Sequence, residues 1–176
     1  DAAQPVQVFP EGSGFSCVTV ECRGHGLSET GAFEGLSVAK FADDVLGYIH
    51  ESGFEKPVIG GISMGAAIAL RLAVRNPQMF KGLVLARPAW ITAGAPENLY
   101  PNAAAGKLIA QFPPAEAAAT FEKSNLAALL EKEGPDNLRS IRAFFQRKPA
   151  EVTSQLLQRI SADAPGVTED EMRGIS

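Results

Sequence analysis

The sequence is poor in the residues that most often announce a cofactor or a cross-linked scaffold. Only two cysteines and two histidines occur in 176 residues, too few for a disulfide framework and too scattered for a metal-ligand set. No apolar run approaches the ~20 residues that cross a bilayer. Basic residues number 16 against 20 acidic ones, a net charge of −4, and they do not cluster, which argues against a nucleic-acid surface. Seventeen glycines and 12 prolines exclude collagen-like and low-complexity chains. What is present is 45% hydrophobic, the make-up of an ordinary globular chain with a real core. No metal, cofactor, nucleic-acid or membrane partner is expected.

The cysteines lie in the apolar run Phe15-Ser16-Cys17-Val18-Thr19-Val20-Glu21-Cys22. On a strand this odd spacing points Cys17 and Cys22 to opposite faces, so they do not bridge one another. They read as core thiols of a reducing, cytoplasmic compartment.

Hydrophobic patterning changes character near residue 91. In residues 1–14 the short run Val6-Gln7-Val8-Phe9 is either a brief strand or an extended lead-in. Residues 15–22 predict a strand that ends at the turn Arg23-Gly24-His25-Gly26-Leu27-Ser28. A helix follows, capped by Ser37, with Val38, Phe41, Ala42, Val45 and Ile49 on one face and Gly53 at its end. Residues 57–61 predict a buried strand, Ala66 to Arg75 a buried helix stopped by Asn76-Pro77, and 82–86 another apolar strand. Strand and helix alternating at this pitch predict a parallel sheet covered on both faces. Beyond Trp90 no strand is evident, and helices are expected near 98–111, 114–132, 136–147, 149–162 and 168–173. The reading is an α/β core over 1–91 and a helical unit over 92–176.

The motif that carries chemistry is Gly61-Ile62-Ser63-Met64-Gly65, a G-x-S-x-G between a short apolar strand and a helix. The turn is sharp, and Gly61 and Gly65 remove side chains that would collide where strand meets helix, with Gly60 adding room. Ser63 then projects above the carboxyl edge of the sheet, where open α/β sheets bind ligands. The first backbone N–H groups of the helix have no intrahelical partner, so the N–H of Met64 is a candidate oxyanion donor.

The order strand, Arg-Gly-His-Gly-Leu-Ser turn, helix, strand, Gly-Ile-Ser-Met-Gly turn, helix, strand resembles the centre of an α/β-hydrolase. The resemblance is close over residues 15–90. Over 91–170 it is one of kind, to the helical cap that many members insert there. It implies an α/β fold with a mostly parallel sheet, Ser63 as nucleophile, Met64 as the residue completing the oxyanion hole, and His25 at the pocket rim. Serine rather than aspartate at 63 implies acyl transfer on a small-molecule ester, thioester or lactone. An acyltransferase using the same serine, or a non-catalytic binding module, is the alternative. Trp90, just past the last strand, is a candidate pocket wall. Phe112, Phe121, Phe144 and Phe145 fall at helical spacing and belong more readily to the core of the cap.

A serine needs a base, and the base needs an acid to orient it. In this family the order along the chain is Ser, acid, His, yet both His25 and His50 precede Ser63. Asp136 and Asp163 sit in the helical half with no evident route to Ser63. The resemblance therefore implies an incomplete fold, inactive by itself, with strands missing before Asp1 and after Ser176. It also implies an absent strand between residues 17–22 and 57–61. The first of these must then pair directly with the second, borrow a strand, or leave backbone groups unpaired; such edges invite self-association.

Overall fold

The computed structural model describes residues 12–175. The run Val6-Gln7-Val8-Phe9 lies outside these residues. The elements, in chain order, are α1 (Val38–Ser52), β1 (Val58–Ile62), α2 (Met64–Arg75), β2 (Gly82–Ala86), α3 (Tyr100–Gln111), α4 (Pro114–Glu122), α5 (Asn125–Glu133), α6 (Pro135–Phe144), α7 (Ala150–Ala162) and α8 (Glu169–Arg173). None of these helices is long and apolar enough to cross a membrane.

Local sequence explains most boundaries. Ser37 Oγ accepts the N–H of Lys40 at 3.1 Å, and Gly53 closes α1 at φ +67°, a conformation glycine adopts without strain. A second acceptor comes from far along the chain: the Asp163 carboxylate takes the N–H of Val38 at 2.6 Å. The expected single helix over 114–132 is instead two. The Ser124 hydroxyl accepts from Ala127 N and starts α5 afresh, because a serine that satisfies a free N–H competes with continuation of the helix.

β1 and β2 are parallel, with Val58 opposite Gly82 and Ile62 opposite Ala86. Side chains alternate faces, so Ile59 and Leu83 lie on one face and Val58, Ile62 and Val84 on the other. α2 covers the first face and packs on α1; Ile59 joins Val38, Phe41, Ala67 and Leu72 in one core. The second face is open among the described residues, with Val58 57% and Val84 58% exposed. Coverage of both faces, expected from the apolar strands, is thus not met here.

Residues 15–22 form no strand. β1 pairs only with β2, and no hydrogen bond joins the backbone of residues 16–20 to another described residue. Of the three outcomes open to this segment, the last is the one seen among the described residues. The segment is largely exposed, Phe15 at 73% and Val18 at 49%, so leaving its backbone without a protein partner costs little. Cys17 and Cys22 are both free and half-buried.

A second core holds Ala105, Ala117, Phe121, Leu130, Leu138 and Ile141 from α3 to α6, and Phe145 just after α6. Phe112 and Phe144 pack against it from the edge. α7 belongs to both cores: Leu156 and Ile160 face the first, Leu157 the second. α3 and α7 approach closely because Gly106 has no side chain. A β-carbon there would stand 2.9 Å from Leu157 Cβ and 3.1 Å from the Ser154 carbonyl oxygen. Ser154 Oγ also donates to the Gly106 carbonyl at 2.9 Å. Gly106→Val is therefore expected to destabilise the chain by about 1–3 kcal/mol through overpacking, read as a lower urea midpoint; an unchanged midpoint would contradict this packing.

Candidate active site

β1 enters the turn at Ile62 and α2 begins at Met64, leaving Ser63 as the whole connection. Ser63 has φ +54° and ψ −110°, left-handed geometry that costs a non-glycine residue about 1–3 kcal/mol. Its backbone is held on both sides. The N–H donates to the Ala86 carbonyl at 3.1 Å, and the carbonyl accepts from Ala66 and Ala67 at 3.1 and 3.3 Å. The side chain is exposed, caps nothing, and has no hydrogen-bond partner among the described residues. The N–H of Met64, first in α2, likewise has no acceptor among them, while the Met64 side chain packs on the first core.

The glycines play unequal parts. A β-carbon on Gly61 would fall on the backbone carbonyl of Gly65, so the strand–helix crossing requires glycine at 61. A β-carbon on Gly65 itself meets nothing within 4 Å among the described residues. Gly60 serves the sheet rather than the turn, since a β-carbon there would stand 2.9 Å from the Val84 carbonyl oxygen.

The turn at residues 21–28 closes on itself. Leu27 N donates to the Glu21 carboxylate at 3.1 Å and Ser28 Oγ to the Glu21 carbonyl at 2.8 Å. Arg23 forks onto Asp44 of α1, Nε and Nη2 each at 2.7 Å, a pair 21 residues apart that the sequence did not reveal. Burial, with a smaller contribution from Asp44, pushes the Cys22 thiol up to about 11, so it stays protonated near neutrality.

His25 sits in this turn, its Nδ1 3.2 Å from the Arg23 carbonyl and its ring edge-on to Phe41. Burial pulls its pKa below the ordinary 6.5, and Arg147 adds to the shift. The fold therefore favours neutral His25. Its contribution is intact above pH 6.5 and is lost as pH falls towards and through the lowered folded value. Urea midpoints measured between pH 7.5 and 5 are expected to fall, and to fall less in His25→Gln. Equal slopes in the two proteins would contradict a half-buried His25 held neutral by the fold.

Trp90 is 3% exposed within the first core, and its Nε1 donates to the Asp163 carbonyl at 3.1 Å. It anchors the chain after β2 to the end of α7. Asp163 thus ties together α1, α7 and the segment after β2, while Asp136 lies on the surface beside Arg139. His50 is exposed in the last turn of α1.

Residues 11–154 match the family described as "Serine aminopeptidase, S33". The chain is 38% identical over 63 residues to the "AB hydrolase superfamily protein YisY" of Bacillus subtilis (strain 168), a stretch covering 36% of this chain and 23% of that one. It is 34% identical over 67 residues to the "Probable alcohol acetyltransferase" of Cyberlindnera fabianii, covering 38% of this chain and 18% of that one. The chain thus spans less than a quarter of either relative. No solved structure matches it significantly.

Proposed function

This chain belongs to the serine aminopeptidase (S33) family of α/β-hydrolases, and from that premise we propose that it carries the nucleophile of a serine hydrolase acting on small esters, thioesters or lactones. Ser63 Oγ attacks the substrate carbonyl while a base takes its proton. The Met64 N–H stabilises the tetrahedral oxyanion, the alcohol or thiol leaves with a proton, and water releases the acid from the acyl-enzyme. The observation that carries this reading is Ser63 itself, held left-handed at a strand–helix junction with its hydroxyl exposed and without a partner among the described residues. His25 is fixed on Phe41 and the Arg23 carbonyl, and both histidines precede Ser63. We therefore assign the base and its acid to chain outside these 176 residues. That chain would also cover the open sheet face and pair with the free edges. The two unbridged cysteines favour a reducing, cytoplasmic setting.

The name of the Cyberlindnera fabianii relative supports a second reading, in which an alcohol rather than water resolves the acyl-enzyme. Rapid mixing of the full-length protein with p-nitrophenyl acetate tests both. The hydrolase reading expects a nitrophenol burst stoichiometric with protein, followed by turnover to acetate. Turnover that yields an acetate ester when ethanol is added favours the transferase. No burst and no turnover with acetate, butyrate and lactone substrates contradicts both.

A further inference from the structure

Of the nine arginines, eight are engaged within the described residues. Arg23, Arg75, Arg139, Arg142 and Arg173 pair with carboxylates. Arg71 donates to the carbonyls of Pro165 and Gly166, Arg159 to Gln155, and Arg147 lies over the Phe144 ring. Arg87 alone has no such partner among the described residues, and it is exposed. Its place in the fold is next to Ser63. Ile62 and Ala86 are the last paired residues of β1 and β2, and Ser63 N reaches the Ala86 carbonyl. Ser63 and Arg87 are therefore the first residues past the ladder on neighbouring strands, which run roughly 4.8 Å apart. Both leave their strands left-handed, at φ +54° and +46°. The strain at Arg87 is compounded by Pro88, which restricts the residue before it, whereas glycine would adopt this φ freely. The loop that follows is fixed, Ala89 by Asn98 and Trp90 by Asp163.

We propose that Arg87 is a specificity residue that binds a carboxylate in the acyl part of the substrate, so that the preferred substrates are half-esters, thioesters or lactones derived from dicarboxylic acids. The inference rests on Ser63 being the nucleophile. An acyl group on Ser63 Oγ starts at the carboxyl edge of the sheet, and Arg87 leaves the neighbouring strand at the same level. A guanidinium with its donors free presents a planar fork that matches a carboxylate in two parallel hydrogen bonds. In a chain of net charge −4, an exposed cation with no partner among the described residues, on the strand next to Ser63, also draws anionic substrates to that edge.

The test compares two chromogenic esters of matched length, mono-p-nitrophenyl glutarate and p-nitrophenyl valerate, in the full-length protein. The wild-type protein is expected to favour the glutarate ester in kcat/KM. In Arg87→Gln the ratio of the two kcat/KM values should fall by about 100-fold, the range of a charge-assisted hydrogen-bond pair. Arg87→Lys, which keeps the charge but loses the fork, should fall between them. Wild-type preference for the valerate ester overturns the proposal without any variant. So does an Arg87→Gln ratio within about threefold of wild type, the result expected if Arg87 only pairs with another part of the protein. If neither ester is turned over and Ser63 takes no fluorophosphonate, the Ser63 reading falls and this inference with it. If both are turned over and the ratio does not move, only the Arg87 assignment falls.

Discussion

Ser63→Ala should abolish ester turnover by the full-length protein, a loss of at least about 10⁴-fold in kcat, because the proposed acyl-enzyme forms on the hydroxyl that this variant removes. The fold should survive. The Ser63 side chain caps nothing and touches no hydrogen-bond partner among the described residues, so its removal leaves no orphaned group. A second variant separates the backbone from the hydroxyl. Ser63→Gly removes the nucleophile too, but it also relieves a left-handed residue at φ +54°, and should raise stability by up to ~1 kcal/mol. Strain maintained at the proposed nucleophile is what a stability cost for function looks like. A Ser63→Gly protein no more stable than Ser63→Ala would show that the turn is not strained. Retained turnover in either variant would remove Ser63 from the mechanism.

The largest loss of stability is expected from a single methyl group. Gly61→Ala places its β-carbon on the Gly65 carbonyl, backbone against backbone, so no rotamer change can relieve it. β1 and α2 would have to separate, exposing Ile59, Ala67 and Ile68, which sit in the first core. A cost of about 3 kcal/mol or more follows, and with it the left-handed geometry of Ser63. Gly65→Ala makes the contrast. Its β-carbon meets nothing among the described residues, and alanine is the better helix former by about 0.8–1 kcal/mol. Urea unfolding of the two variants should therefore move in opposite directions. If Gly61→Ala were tolerated as well as Gly65→Ala, the crossing of strand and helix would be looser than the structure has it.

The short-range features of this fold were legible in the sequence, because their causes are local. Ser37 and Gly53 bound α1 through caps within three residues of its ends, and the strand–turn–helix around Ser63 follows from glycine and apolar spacing. The break between α4 and α5 was also written locally, in Ser124, but alanine-rich sequence on both sides masked it. The apolar, β-branched residues 15–22 misled for a different reason. Composition marks a segment fit to be a strand, yet a strand exists only where a neighbour supplies hydrogen bonds, and none is found among the described residues. The same limit applies to the open face beneath Val58, Ile62 and Val84, whose pattern anticipates a covering layer. Long-range links were invisible by nature: Asp163 reaches Val38 across 125 residues and Trp90 across 73. Position after the last strand marked Trp90 as a candidate pocket wall, but its indole N–H and its burial place it in the core. Of the candidate site, Ser63 and Met64 came from motif and context. Arg87 carried no signal until the register of β1 and β2 set it beside Ser63.

Covalent labelling reads directly whether Ser63 is an activated nucleophile. The full-length protein is treated at neutral pH with a fluorophosphonate, digested, and its peptides weighed. A single adduct is expected on the peptide containing Ser63, absent from the Ser63→Ala protein and suppressed by saturating ester substrate. An unlabelled Ser63 in a folded, full-length protein, or an adduct on another residue that survives Ser63→Ala, would contradict it.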